Sequence, residues 1–196
     1  MSFRVLNSGY FLLASINWND FQNHQKNIVE YCLKKEKPRT IESNVALGAK
    51  SNLWESEFNF LDSDNPSIKA LKDWLLYTSQ TYINNLNRTN YKFVIDESWA
   101  HVTRQHGYHS PHDHITSTWS GIFHIDGELG VKGTNTWMVP YIIERKKGLE
   151  FLGGDSASTP FEPGKLILFP SALTHWAEPY EGTKPRVVVA FNGYCE

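Results

Sequence analysis

Three observations predict a mainly β fold with flanking helices, a jelly roll or related barrel. From Tyr91 onward, short β-rich runs are punctuated by Gly, Pro, Asn and Asp. These runs number about seven, and no helical periodicity separates them. Two amphipathic segments precede them, and each offers an apolar stripe able to cover one face of a sheet.

The first helix is predicted over residues 20–36, where Phe21, Ile28, Val29, Tyr31, Cys32 and Leu33 recur at three to four residues among Gln, Lys and Glu. The second is announced by Asn65-Pro66-Ser67, with proline in the first turn, and carries Ile68, Leu71, Trp74, Leu75, Leu76, Tyr82 and Ile83. Strands are predicted at 97–104, 117–126, 136–143, 148–152, 165–169, 174–178 and 185–192. Turns between them are signalled by Asp126-Gly127, Gly153-Gly154-Asp155, Pro163-Gly164 and Gly182-Thr183-Lys184-Pro185. In the last strand, period two puts Arg186, Val188, Ala190 and Asn192 on one face and Val187, Val189 and Phe191 on the other. Burying the bulkier face against the helices leaves the first lining the barrel.

Composition bounds the rest. A chain of 196 residues is expected to form a single domain over 1–196, with a helical and strand support region at 1–96 and a β core at 97–196. A hydrophobic content of 40% with 14% aromatics argues for a packed globule. Net charge of -2 gives no field for a phosphate backbone, so nucleic acid is not expected as a partner. Two cysteines, Cys32 and Cys195, form no disulfide framework and point to the cytoplasm. The apolar stretch Tyr10 to Ile16 is too short to span a bilayer and poor as a signal peptide, so no membrane partner is expected either. Oligomeric state is not readable.

The chemistry concentrates at Ser110-Pro111-His112-Asp113-His114. If 112–114 is extended, both imidazoles face one way, and His175 from a distant strand completes a facial set of three metal ligands. A His-x-His alone is weak, since histidines pair by chance in polar loops. Of the eight histidines, His24, His101, His106 and His109 are read as surface, structural or pocket-mouth residues. The competing pair is His124-Ile125-Asp126, but Asp126-Gly127 reads as a turn closing a strand, and His112/His114 is preferred. Asp113 points away from its neighbours and is read as a loop or imidazole-bonding residue. Arg186 opens an otherwise apolar strand. Either it pairs with Glu178 or Glu181, or it anchors a ligand carboxylate from a strand hairpinned next to that of His175.

On these residues the chain resembles the iron(II)/2-oxoglutarate-dependent dioxygenase superfamily, most nearly a group of 2-oxoglutarate-iron(II) oxygenases with a His-x-His…His…Arg pattern. The matching residues are His112, His114, Ser120-Gly121-Ile122-Phe123, Pro163-Gly164, Leu168-Phe169-Pro170-Ser171, His175, Arg186 and Phe191-Asn192. Upstream, Ser51 to Ser56 and Glu97 to Ala100 are similar to the group's lead-in strands. The resemblance implies a double-stranded β-helix (jelly roll, cupin-like) that uses Fe(II), 2-oxoglutarate as cosubstrate and O2. His112, His114 and His175 would hold the metal, and Arg186 and Asn192 would bind the cosubstrate. The implied reaction hydroxylates a substrate with release of succinate and carbon dioxide. Two departures stand out. His114 occupies the position where the wider superfamily has a carboxylate, and Arg186-Val187-Val188 lacks the hydroxyl of the usual Arg-x-Ser.

Three alternatives stay open on the sequence. They are a three-histidine cupin-type dioxygenase without 2-oxoglutarate, a zinc hydrolase lacking an evident glutamate base, and a non-catalytic jelly-roll binding protein. The substrate is expected to be a small molecule or an amino-acid side chain. Trp99, Tyr108, Trp119, Trp137 and Tyr141, with Arg104 and Gln105, are candidates for lining its pocket, and core packing or solvation explains them equally well.

Overall fold

The computed structural model describes residues 3–7, 12–37, 50–133, 135–138 and 156–196. In chain order it forms β1 (Phe3–Asn7), β2 (Leu12–Asn17), α1 (Phe21–Lys35), β3 (Lys50–Glu55), a 3-10 turn at Phe60–Asp62 and α2 (Pro66–Asn87). Then come β4 (Phe93–His112), β5 (Trp119–Asp126), β6 (Asn135–Met138), β7 (Ser156–Thr159), β8 (Lys165–Pro170), β9 (His175–Ala177) and β10 (Arg186–Cys195).

Both helices form where their periodicity puts them. In α2 the Asn65 side chain accepts from the backbone N–H of Ser67 and Ile68, and Pro66 occupies the first turn, where no N–H is needed. α1 buries Phe21, Ile28 and Cys32, while α2 buries Ile68, Leu71, Leu75 and Ile83. An aromatic cluster joins these helices to the sheet. Trp18 stacks on Trp74 at 5.5 Å, and Phe21 meets Phe123 of β5 edge-on at 5.6 Å.

Among the described residues these strands pair antiparallel, in the order β1-β2-β8-β5-β10-β4-β9-β6-β7, with β3 on β4. The 20-residue β4 joins two layers. Up to Thr103 it pairs with β10. Beyond a left-handed residue at His106 (φ 64°) and bulged registers, it pairs with β9 through His109 and His112. The sheet thereby folds over on itself, so that Trp137 of β6 contacts Phe169 of β8 at 5.4 Å across the interior. The faces of β10 divide as period two requires. Val187, Val189 and Phe191 join the core under the helices, and Val188 and Ala190 join an inner core with Trp99, Ile122, Trp137, Ile167, Phe169 and Leu173.

Several expectations need correction. β10 is not adjacent to β9. β4 lies between them, because the segment 178–185 crosses from one layer to the other instead of closing a hairpin. β4 runs well past the predicted end at 104, and His112 is its last residue, not part of a loop. β1, β2 and β7 were not foreseen, since their short runs lack clear alternation. The strand predicted at 148–152, the turn at 153–155 and the end of the strand at 136–143 lie outside the described residues.

Candidate metal centre

His112, at the end of β4, lies directly across from His175, the first residue of β9. Their ring centroids are 4.3 Å apart. His114 follows in the connection to β5, where its N–H donates to the Ser171 carbonyl at 2.9 Å and its carbonyl accepts from Ser117 N–H at 2.9 Å. That pinning sets its ring 5.1 Å from His112 and 5.3 Å from His175. One nitrogen from each of the three lies within 4.8 Å of the others.

The donors are prepared by the backbone. His112 Nδ1–H donates to the Ser110 carbonyl at 2.8 Å, and His175 Nδ1–H donates to the Leu173 carbonyl at 2.9 Å. A carbonyl only accepts, so the proton sits on Nδ1 and the lone pair on Nε2. For His112 and His175 the imidazole-bonding role suggested for Asp113 is thus taken by main-chain carbonyls, and Asp113 itself is exposed in the connection after β4. Burial, and then the neighbouring His112, push His175 down to about 3, so it is a neutral imidazole at physiological pH. His109 stacks on His112 at 3.8 Å, and His101 meets both His109 at 5.8 Å and the Glu55 carboxylate at 2.7 Å.

These histidines open into a cavity whose wall includes Arg186, Val188, Ala190 and Asn192. Arg186 is 5% exposed, and its guanidinium lies over the Tyr180 ring at 5.1 Å. Among the described residues no carboxylate pairs with it. Glu181 pairs with Lys132, and Glu178 accepts from Thr136. Burial lowers Arg186 to about 10, which leaves it charged at neutral pH. Asn192, 1% exposed, accepts from Ser120 Oγ at 2.8 Å and donates to Glu97 at 3.1 Å. Ser120 is linked in turn to Ser171 at 2.9 Å, on the segment that holds His114.

The competing pair is not assembled. Asp126 is ion-paired to Lys184 at 2.7 Å, and Nδ1 of His124 accepts from the Glu162 N–H at 3.2 Å. Asp126 lies opposite Val187 across a register irregularity and is not among the residues that line the cavity. Of the aromatic candidates, Trp99 lines the cavity. Trp119 belongs to the core under the helices, Trp137 is packed in the inner core, and Tyr141 lies outside the described residues. Arg104 is held by Glu36 on the surface and is no pocket residue. Sequence reading passed over Thr103, which lines the cavity opposite Arg186. Only the β4/β10 register reveals it.

A family model described as "Putative 2OG-Fe(II) oxygenase" matches residues 97–192. Comparison with curated proteins gives no match. Among solved structures the chain is similar to HygX from Streptomyces hygroscopicus with nickel, 2-oxoglutarate and hygromycin B bound, with a TM-score of 0.65 at 10% identity, covering 92% of this chain and 82% of that one. It is also similar to a prolyl-4-hydroxylase from Pseudomonas putida (TM-score 0.58, 10% identity, 92% and 91% covered). A third likeness is to a prolyl hydroxylase from Trichoplax adhaerens in complex with a hypoxia inducible factor peptide (0.58, 12%, 92% and 82%). At such identities the structural likeness speaks for the fold, a double-stranded β-helix. With the family match over residues 97–192, the β core of this chain is that of the iron(II)/2-oxoglutarate-dependent oxygenases.

Proposed function

We propose that His112, His114 and His175 hold the iron(II) of this oxygenase and that Arg186 receives the far carboxylate of 2-oxoglutarate, with Asn192 keeping the cosubstrate slot in shape. The observation that carries this reading is a single cavity with three convergent imidazoles and a buried guanidinium that has no anion among the described residues. Imidazole donors suit iron(II), and His112, His114 and His175 would hold it through nitrogens that already lie within 4.8 Å of one another. When bound, the metal and cosubstrate supply the activation of O2 and the oxidation of substrate, with succinate and carbon dioxide released. The chain's own part is to orient and to exclude water. Backbone carbonyls fix the ring tautomers, Val188, Ala190 and Phe169 keep the slot apolar, and the Ser171-Ser120-Asn192-Glu97 chain stiffens its floor.

The substrate class we propose is a small molecule or an amino-acid side chain entering past His101, His109 and Trp99, with residues 1–96 supporting the 97–196 core. A net charge of -2 favours neither nucleic acid nor an anionic bilayer as partner. Two free cysteines favour a cytoplasmic setting. Among the described residues no helix is long and apolar enough to cross a membrane.

The test is succinate release from 2-oxoglutarate by protein reconstituted anaerobically with iron(II) and then exposed to O2, across a panel of small molecules and peptides. Succinate formed in step with oxidised product supports the reading. Oxygen consumption without succinate would assign the barrel to direct substrate oxygenation instead.

A further inference from the structure

Two residues of β4 line the cavity without a task in holding the metal or the cosubstrate. Trp99 and His101 alternate on that strand, so they share its inner face, opposite Ala190 and Val188 of β10. Trp99 is 5% exposed, and its ring lies 5.5 Å from that of His114 and 6.3 Å from that of His101. It also meets Phe58 edge-on at 5.4 Å, and Phe58 is 44% exposed. An aromatic wall therefore runs from solvent to the histidine cluster.

The indole of Trp99 asks for a ligand. Its Nε1–H is buried and has no hydrogen-bond partner among the described residues. An indole nitrogen only donates, and a buried donor left unpaired is costly, so one on a cavity wall calls for an acceptor from outside the chain. The charge of that acceptor is bounded from two sides. Glu55 of β3 lies across from His101, and its carboxylate accepts from His101 Nε2 at 2.7 Å, which sets an anion behind the neighbouring wall residue. An anionic ligand beside Trp99 would meet that carboxylate, and a cationic one would meet the ion that His114 helps to hold. An uncharged oxygen fits between them.

We infer that Trp99 is the anchor of the substrate, which is an uncharged molecule whose oxygen, with the chemistry of an amide carbonyl, accepts from the indole N–H while its apolar body lies along Trp99 and Phe58. A group bonded there is within reach of the ion held by His112, His114 and His175. This assignment rests on the metal and cosubstrate reading above. It sets aside substrates whose reacting end is a carboxylate or an ammonium.

The experiment uses anaerobic, manganese-loaded protein saturated with 2-oxoglutarate and three probes of one shape: benzamide, benzoate and benzylammonium. Paramagnetic relaxation of the probe ring protons reads binding and nearness to the ion together, and calorimetry reads 2-oxoglutarate. Wild type should relax benzamide well above the other two. Trp99→Phe, which keeps a ring and drops the N–H, should weaken benzamide about five-fold to ten-fold and not 2-oxoglutarate, since one neutral hydrogen bond is lost. Phe58→Ala, at an exposed position that folding tolerates, should weaken all three probes alike and keep their order. Wild-type affinity for benzamide in Trp99→Phe would overturn the anchor. So would a loss that falls on 2-oxoglutarate, because the N–H would then belong to the cosubstrate. Preference for benzoate or benzylammonium, or relaxation of none of the three, would overturn the substrate class. Wild type that relaxes benzamide but does not bind 2-oxoglutarate would bring down the cosubstrate reading alone and leave the anchor standing.

Discussion

At the scale of single residues, His114 is where this chain departs most from a carboxylate-containing metal triad. Three neutral imidazoles leave the ion with its full charge, whereas one carboxylate lowers it and adds a hard donor. His114→Ala is expected to lose iron retention and succinate formation together, by a hundred-fold or more. His114→Asp is expected to keep a measurable share of both, as read by metal analysis of anaerobically reconstituted protein. Retention of iron and full turnover by His114→Ala would remove it from the ligand set. Arg186 gives a second test. A buried cation without an anion is a cost that its contact with Tyr180 offsets only in part. Arg186→Met should raise the stability of the ligand-free protein by on the order of 1 kcal/mol and abolish the thermal shift that 2-oxoglutarate gives wild type, about 2.7 kcal/mol at a hundred-fold excess over its Kd. A melting temperature lowered by this substitution would mean the guanidinium has a stabilising partner. The guanidinium is charged below about 10, so the affinity for 2-oxoglutarate should be level from pH 6 to pH 8 and fall only as pH rises toward 10.

Secondary-structure elements explain why the candidate site was more legible in the sequence than its surroundings. The inward face of β10 followed from period two, because Phe191 with Val187 and Val189 makes one face bulkier than the face of Val188 and Ala190, and a strand has only two faces. The caps of α2 were equally plain in Asn65-Pro66. Strand neighbours were not plain. That β10 lies beside β4 and β5, not β9, depends on which layer the chain enters after residue 178, and no local pattern encodes a crossover. For the same reason the place of Thr103 in the cavity wall was invisible, since it exists only through register with β10. Gly121 tests the packing of these strands. A Cβ there would lie 2.2 Å from the Phe191 ring, so Gly121→Ala must displace Phe191 from the core under the helices. Destabilisation of about 1–3 kcal/mol is expected in denaturant unfolding. A neutral result would mean that β5 and β10 slide apart at little cost.

On the scale of the whole molecule, one long strand makes the site possible. β4 contributes Thr103 to the cavity wall opposite Arg186, then turns at His106 and delivers His112 to His175 in the other layer, so the surroundings of Arg186 and the three-histidine cluster are set by one continuous backbone. The helices act at a distance, holding β5 in place through Trp18, Trp74 and Phe123. The central claim is that both ends bind one cosubstrate. A crystal structure grown anaerobically with iron(II) and 2-oxoglutarate tests it most directly. It should show one ion with an imidazole nitrogen of His112, His114 and His175 each at about 2.0–2.2 Å, and the far carboxylate within hydrogen-bonding distance of Arg186. An ion held through Asp126, or a 2-oxoglutarate whose far carboxylate lies away from Arg186, would contradict it.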